Sequence, residues 1–269
     1  MKTSSALALA SAIVLALCAV PANATTLNRT WVSATTGADG SMCGAITSPC
    51  LTFAGALANT AVGGEVDCLG PGDFGAVQIN QSVSIVCDGV SNGGIFDASA
   101  SHAAVTIEGV SGTVVYLSGL DLNGGNTAPS GIFVISASTV YIVHSSIRGF
   151  TAYGVNVAST VNPTRVIIKD SIIVSNGATG NGNTGGVYVS PAGATNVVSV
   201  LNTVIDGNAG FAAQAIGADG TSAIALTNSV LTGSPTGLSL EAGGTAEFIG
   251  PSNVVAGAIT GTTTSVSFK

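Results

Sequence analysis

His144 and Asp170 are the residues of this sequence best suited to acid–base chemistry. An imidazole titrates near neutral pH, and a carboxylate beside it raises its pKa, which suits a general acid or base. No nucleophile with an evident role accompanies the two residues. The alternative, which the surrounding pattern favours, is a ladder in which stacked polar side chains hydrogen-bond to one another.

Basic residues offer a second, weaker catalytic candidate. Arg148, Arg165 and Lys169 form the only local cluster of basic residues in the sequence, and Lys169 adjoins Asp170. Asp206 shares the repeat position of Arg148, two coils further along. This grouping could abstract a proton, although charged residues on exposed strands need no functional explanation.

Glu65 and Asp67 form the third candidate. They alternate along one expected strand, so both point outward. They come closest to the paired carboxylates, ~5 to 9.5 Å apart, that glycoside hydrolysis needs, and Asp88 would be the acid that joins them. Solvated strand residues are the simpler interpretation.

Exposed aromatic rings are the usual platforms for sugars, and three tyrosines are candidates. Tyr116 and Tyr141 share the second position of the repeat described next and are expected to stack outward on successive coils. Tyr188 has an outward place in another strand. Packing between neighbouring strands is the favoured explanation, and a carbohydrate-facing patch is the alternative.

A ten-residue pattern that recurs six times must position these residues. Its first and eighth positions are always apolar, and its third is apolar in five copies. The copies are VYLSGLDLNG from Val115, VYIVHSSIRG from Val140, VIIKDSIIVS from Val166, VSVLNTVIDG from Val198, IALTNSVLTG from Ile224 and FIGPSNVVAG from Phe248. Alternation at a period near 25 residues, without helical segments, indicates a solenoid of stacked β-coils.

Each coil is expected to hold a second strand after the repeat. These strands are predicted at 131–134, 154–157, 186–189 and 237–240, with a degraded copy near 212–216. The fifth repeat position, at an expected bend, reads Gly119, His144, Asp170, Asn202, Asn228 and Ser252. The glycine- and asparagine-rich run 176–185 is predicted to be a loop.

Three segments are predicted along the chain. Residues 1–24 have the charge, apolar stretch and small cleavage-site residues of a signal peptide. Residues 25–62 form an N-terminal cap with a disulfide loop and a short helix, which the spacing of Leu51, Ala54, Leu57 and Ala58 indicates. Residues 63–269 form a β-helix of roughly eight coils.

Composition limits the partners. Charged residues make up 7% of the chain, against about 25% in average proteins, and the formal net charge is −7. An acidic surface repels phosphate backbones, so we expect no nucleic-acid partner. No later apolar run is long enough to span a bilayer, so we expect no membrane insertion. The expected location is secreted, periplasmic or at the cell surface, and the sequence does not indicate an oligomeric state.

Four cysteines follow the signal peptide: Cys43, Cys50, Cys68 and Cys87. An even number in an exported chain predicts disulfides. Strand alternation turns Cys68 and Cys87 inward on strands expected to be adjacent, which favours a Cys68–Cys87 bond and leaves Cys43–Cys50. Zinc is disfavoured because paired C-x-x-C motifs are lacking, so we expect no metal.

The chain resembles the right-handed parallel β-helix proteins, whose superfamily includes pectate lyases and polygalacturonases. The stretch from Cys50 through LTFAGAL to GGEV at 63–66 resembles the capping segment of exported bacterial β-helix-repeat proteins of unassigned function. The resemblance implies an all-β, right-handed parallel β-helix with a short N-terminal capping helix. It implies little about activity, because this architecture hosts unrelated functions.

Lyases of the resembled superfamily use a basic residue beside calcium-binding carboxylates, and its hydrolases use clustered aspartates. This sequence has no Asp-Asp pair and no carboxylate cluster on consecutive coils. We therefore expect an exported, non-catalytic binding or structural protein, with extracellular polysaccharide as the candidate partner and no cofactor. The alternative is a polysaccharide lyase or glycoside hydrolase, and only such a lyase would need calcium.

Overall fold

Stacked coils whose strands form three parallel sheets make up residues 26–266, the part of the chain that the computed structural model describes. The predicted all-β parallel β-helix is confirmed. The predicted signal peptide, residues 1–24, lies outside the described residues. Among residues 26–266, no helix has the length and apolar character needed to cross a bilayer.

Each sheet takes one strand from successive coils. The first sheet has ten strands: β1 (Leu27–Val32), β2 (Thr60–Cys68), β5 (Val83–Val86), β8 (Val114–Ser118), β11 (Thr139–Val143), β14 (Thr164–Lys169), β17 (Thr195–Leu201), β20 (Thr221–Thr227), β23 (Thr245–Ile249) and β26 (Thr263–Val266). The second sheet has eight: β3 (Gly72–Asp73), β6 (Gly93–Phe96), β9 (Asp121–Asn123), β12 (Ser146–Arg148), β15 (Ile172–Val174), β18 (Val204–Asp206), β21 (Val230–Thr232) and β24 (Val254–Val255). The third sheet also has eight: β4 (Val77–Ile79), β7 (Val105–Glu108), β10 (Ser130–Ser136), β13 (Tyr153–Val157), β16 (Gly185–Val189), β19 (Phe211–Ile216), β22 (Thr236–Glu241) and β25 (Ala258–Thr260).

A coil therefore contains three strands, whereas two were predicted from the sequence. The ten-residue repeat itself holds two of them, one in the first sheet and a shorter one in the second, with a bend at its fifth position. The residues at this bend have positive φ: Gly119 at 70°, His144 at 49°, Asp170 at 50°, Asn202 at 47° and Asn228 at 46°. Glycine tolerates this left-handed conformation best, and Asn, Asp and His adopt it more readily than other residues. Backbone geometry thus selects these residue types before any function does.

The last copy of the repeat starts two residues earlier than its sequence alignment indicated. Ile224 pairs with Ala246, so the copy begins at Ala246 and not at Phe248. Its bend contains two additional residues, and this insertion shifted the aligned start of the copy from Ala246 to Phe248. Gly250, with a φ of 73°, takes the bend position that was predicted for Ser252.

A buried ladder of hydrogen bonds runs beside the bend, at the sixth repeat position. There a side-chain oxygen of one coil accepts a hydrogen bond from a backbone N–H of the preceding coil. The acceptors are Ser145 (from Leu120, 3.2 Å), Ser171 (from Ser145, 3.1 Å), Thr203 (from Ser171, 3.3 Å), Ser229 (from Thr203, 3.3 Å) and Asn253 (from Ser229, 3.1 Å). The ladder satisfies buried donors and fixes the register of neighbouring coils.

A second buried ladder marks the next corner, after the second sheet. The Asn176 side chain accepts from the N–H of Phe150 at 3.2 Å, and Asn208 accepts from the N–H of Asn176 at 2.9 Å. The predicted loop begins here. It leaves after Gly177, whose N–H donates to Phe150 O, and returns at Gly185, whose N–H donates to Ala152 O.

The helix α1 (Phe53–Ala58) packs against the first coil through Phe53, Ala56 and Leu57, and the Thr52 side chain caps it by accepting from Gly55 N–H. The ring of Phe53 lies 5.0 Å from that of Phe74, between centroids. The buried face differs from the predicted one. Leu51, Ala54 and Ala58 are exposed, because the helix starts only at Phe53 and this large ring sets which side turns inward.

Two disulfides cross-link the N-terminal part of the described chain. They join Cys43 to Cys50 and Cys68 to Cys87, and the Cα atoms are 4.9 Å apart in each. The first closes a loop in the cap, and the second ties β2 to the residue that follows β5.

The different burial of Ile173 and Ile172 allows the register of the second sheet to be tested. Ile173 is fully buried between Ile147 and Ile205, whereas its neighbour Ile172 is 49% exposed. We expect Ile173→Ala to lower the free energy of unfolding by ~2–5 kcal/mol through loss of packing, measured by urea titration. The control Ile172→Ala should change it by no more than about 0.5 kcal/mol. Equal effects of the two substitutions would contradict the assigned register.

Candidate functional site

Polar side chains at the bend form a column on the outside of the molecule, here called the bend column. His144 Nδ1 lies 3.2 Å from Asp88 Oδ1, and His144 Nε2 lies 3.7 Å from Asp170 Oδ2. Asn202 donates to Asp170 at 3.2 Å, and Asn228 donates to Asn202 at 2.7 Å. The imidazole therefore stands between two carboxylates, and amides continue the column.

Gly119 leaves a gap in the bend column between Asp88 and His144. A Cβ at Gly119 would lie 2.5 Å from the Asp88 backbone N, so the close approach of the two coils requires glycine. Ser118, which is fully buried, donates to Asp88 Oδ2 at 2.5 Å. The serine hydroxyl thus orients Asp88 and does not serve His144 as a nucleophile.

Hydrogen bonding in the bend column stabilises the ionised form of Asp170. The pKa of this carboxyl is lowered, first by the Asn202 hydrogen bond and then by Lys169 and His144. Lys169 Nζ lies 3.4 Å from Asp170 Oδ2. A general base of lowered pKa is a weak one at neutral pH, so this environment suits a structural carboxylate better than a proton acceptor.

The predicted basic cluster does not assemble into one site. Arg148 lies on β12 of the second sheet and forms a two-pronged ion pair with Asp121 of the preceding coil. Lys169 ends β14 of the first sheet and pairs with Asp170. Asp206 does share the column of Arg148 two coils away. The Asp121 hydrogen bond raises the pKa of Arg148.

Glu65 and Asp67 both contact Arg29 on β1. Arg29 Nε lies 2.9 Å from Glu65 Oε1 and 2.8 Å from Asp67 Oδ2. Burial is the main cause of a raised pKa at Asp67, and the neighbouring Glu65 adds to it, while Arg29 opposes it. Asp88 does not join these acids through any contact, since its partners are Ser118 and His144.

The tyrosines have two different environments. Tyr116 and Tyr141 pair across β8 and β11 with ring centroids 5.8 Å apart, and Tyr141 remains 36% exposed. Tyr188 instead stacks on Tyr153 at 4.6 Å and lies 6.3 Å from Phe211. Tyr188 thus packs against other rings of the third sheet and is half-buried, whereas the Tyr116–Tyr141 pair includes an exposed ring.

Among residues 26–266, one group of three potential metal ligands lies close together: Asp39, Cys43 and Cys50. The two sulfurs are bonded to each other. Asp39 accepts hydrogen bonds from the N–H groups of Leu51 and Thr52 at 2.9 and 3.0 Å. These contacts give the group a structural role in the cap.

A cleft on the second sheet, here called the second-sheet cleft, is not among the sites predicted from the sequence. It is lined by Asp73, Gly94, Phe96, Asp121, Asn123 and Arg148, and its volume is about 260 Å³. Asp73 and Phe96 precede the first copy of the repeat, so no periodic signal marks them. Alternation did place Asp121 and Arg148 outward on adjacent coils, and that signal could have identified the ion pair.

The hydrogen bond from Asn202, the main cause of the lowered pKa of Asp170, can be removed by substitution. Asn202→Gly removes the hydrogen bond while glycine tolerates the positive φ, so the pKa of Asp170 should rise toward its ordinary value near 3.9. In the parent, the ionised carboxylate stabilises the fold above that value, and the contribution is lost as the pH falls through the lowered pKa. NMR titration of the Asp170 carboxyl measures the shift. Asn228→Gly, which removes an amide that donates to Asn202 rather than to Asp170, should shift the pKa of Asp170 less.

The chain matches no protein-family model, and no curated protein and no solved structure matches it significantly.

Proposed function

We propose that this protein is exported and binds extracellular carbohydrate without cleaving it. The observation that carries the proposal is the outward Tyr116–Tyr141 pair on the first sheet. A tyrosine ring offers an apolar face and a hydroxyl at its edge, which together match the C–H and O–H groups of a sugar.

The column that contains the two rings is uncharged over six coils, from Ser84 to Ala225, and is bounded by Glu65 at one end and Glu247 at the other. Ser84 precedes Tyr116 in it, and Ile167 follows Tyr141. Ser199 and Ala225 continue it on the next two coils. A hydroxyl-rich neutral chain can lie along such a face without the loss of solvation that a charged column would impose.

The acidic and basic candidates are held by partners on neighbouring coils. Arg29 binds both Glu65 and Asp67, and Asp121 binds Arg148. A catalytic acid or base has to reach the reacting proton of a substrate. Side chains held in such ion pairs are not available to transfer a proton to or from a substrate. Their ion pairing therefore favours binding over cleavage.

The disulfides support export. Disulfides persist in oxidising compartments and are rare in the cytosol, and two are present here. They agree with the signal peptide expected at residues 1–24.

One observation favours the enzymatic alternative, a polysaccharide lyase or glycoside hydrolase. The pKa of Asp67 is raised by burial and by Glu65, and a carboxyl of raised pKa beside a second carboxyl is the pattern of a glycosidase acid. We rank this alternative second because Arg29 contacts both carboxylates.

Binding can be tested on a panel of extracellular polysaccharides, with and without calcium, by isothermal titration calorimetry. The parent should bind at least one neutral polysaccharide, and Tyr141→Ala should weaken that binding about five-fold or more through loss of ring contact. Tyr141→Phe, which keeps the ring, should lose less affinity. Parent protein that binds no member of the panel would contradict the proposal.

A substitution at His144 distinguishes a binding protein from an enzyme. Asn tolerates the positive φ and can hydrogen-bond within the bend column, so His144→Asn should change stability by no more than ~1 kcal/mol. Reducing-end and unsaturated-product assays should find no glycan cleavage by either protein. Parent that cleaves a glycan, together with an equally folded variant about 100-fold slower, would establish the enzyme instead.

A further inference from the structure

We propose that the second-sheet cleft is a separate binding site for one ring of a neutral sugar. This inference rests on the proposed carbohydrate function but concerns a different sheet from the Tyr116–Tyr141 pair. The cleft volume of about 260 Å³ is just below the usual range of ligand sites, which suits a single ring.

A missing side chain opens the cleft. Asp73, Gly94 and Asp121 occupy one outward column on three successive coils. Gly94 has to be glycine, because a Cβ there would lie 2.1 Å from the Asp121 carbonyl oxygen. The two carboxylates therefore flank a gap within this column, and two strand spacings put the Cα atoms of Asp73 and Asp121 ~10 Å apart.

An aromatic ring forms one wall. Phe96 is 53% exposed although it is a large apolar residue. Its backbone N–H donates to Asp73 Oδ1 at 3.1 Å, so the acid and the ring are held together. A ring kept exposed beside polar groups can stack on the C–H face of a pyranose, as aromatic rings do on apolar surfaces.

Polar groups with spare hydrogen-bonding capacity form the other walls. Asp73 uses Oδ1 for the N–H groups of Gly75 and Phe96, and its Oδ2 accepts from no residue within 26–266. Asn123 uses Oδ1 for the N–H of Gly125, and its Nδ2 donates to no residue of the described chain. An acceptor and a donor at one cleft match sugar hydroxyls, which both donate and accept.

The charges of the cleft select for a neutral ligand. Two carboxylates, Asp73 and Asp121, face one guanidinium, and Arg148 is already bound to Asp121 through two nitrogens. The remaining negative charge repels uronates and sulfated sugars. The site thus differs in specificity from the calcium-assisted binding of acidic polysaccharide that a lyase would need.

Calorimetry with cellohexaose, xylohexaose, mannohexaose and hexagalacturonate tests the inference. We expect the parent to bind a neutral hexasaccharide and not hexagalacturonate. Phe96→Ala removes the ring. Asp73→Asn keeps an oxygen that accepts from both backbone N–H groups but replaces the Oδ2 acceptor with an amide donor. Phe96→Ala and Asp73→Asn should each weaken saccharide binding about five-fold or more. The matched control Val204→Ala, a 39% exposed apolar residue elsewhere on this sheet, should bind as the parent does.

NMR of the saccharide-bound parent locates the contact independently of folding effects. The Asn123 side-chain amide and the Gly94 backbone amide should shift on titration. Binding by the parent that both cleft variants retain, with those two signals unmoved, would overturn this inference and leave the proposed function intact. Parent that binds no saccharide would overturn both, and preference for hexagalacturonate would overturn the neutral specificity.

Discussion

Hydrogen bonds from the backbone N–H groups of one coil to side-chain oxygens of the next hold the register of the stack from Leu120 to Asn253. Ser171 and Thr203 at the bend, and Asn208 at the following corner, each accept such a bond. A parallel sheet alone would allow a strand to slip, and slipping by one residue would exchange its inner and outer faces. With the register fixed, outward residues at equivalent positions align into columns, and the bend column, the Tyr116–Tyr141 pair and the second-sheet cleft are all built from such columns.

The bend imposes a second constraint, because its positive φ limits the residue types in the bend column. His144 and Asp170 have the residue types of an acid–base pair, yet both have left-handed backbone conformations that Asn202 and Asn228 share. A residue type required by φ carries little information about chemistry. The contacts of Asp170 with Asn202 and Lys169 agree with a structural role.

Periodicity made the coil predictable because every coil repeats the same apolar alternation. The second sheet was missed as a separate layer because strands such as β15 have three residues, too few to display alternation. The register of the last copy failed at an insertion in its bend. The contacts at the candidate sites were harder to predict from the sequence, because Arg29 and Glu65 are 36 residues apart and outside the repeat. Phe96 and Asp73 meet only because β3 and β6 are neighbours.

The loop between Gly177 and Gly185 departs from one coil and rejoins the stack with both ends hydrogen-bonded to the coil below, at Phe150 and Ala152. Because coils in a solenoid contact only their neighbours, the length of this excursion is independent of the registers on either side. The corner is thus a natural insertion point, where evolution or a protein engineer can exchange a whole segment and add a new recognition element. The columns on the three sheets would keep their positions.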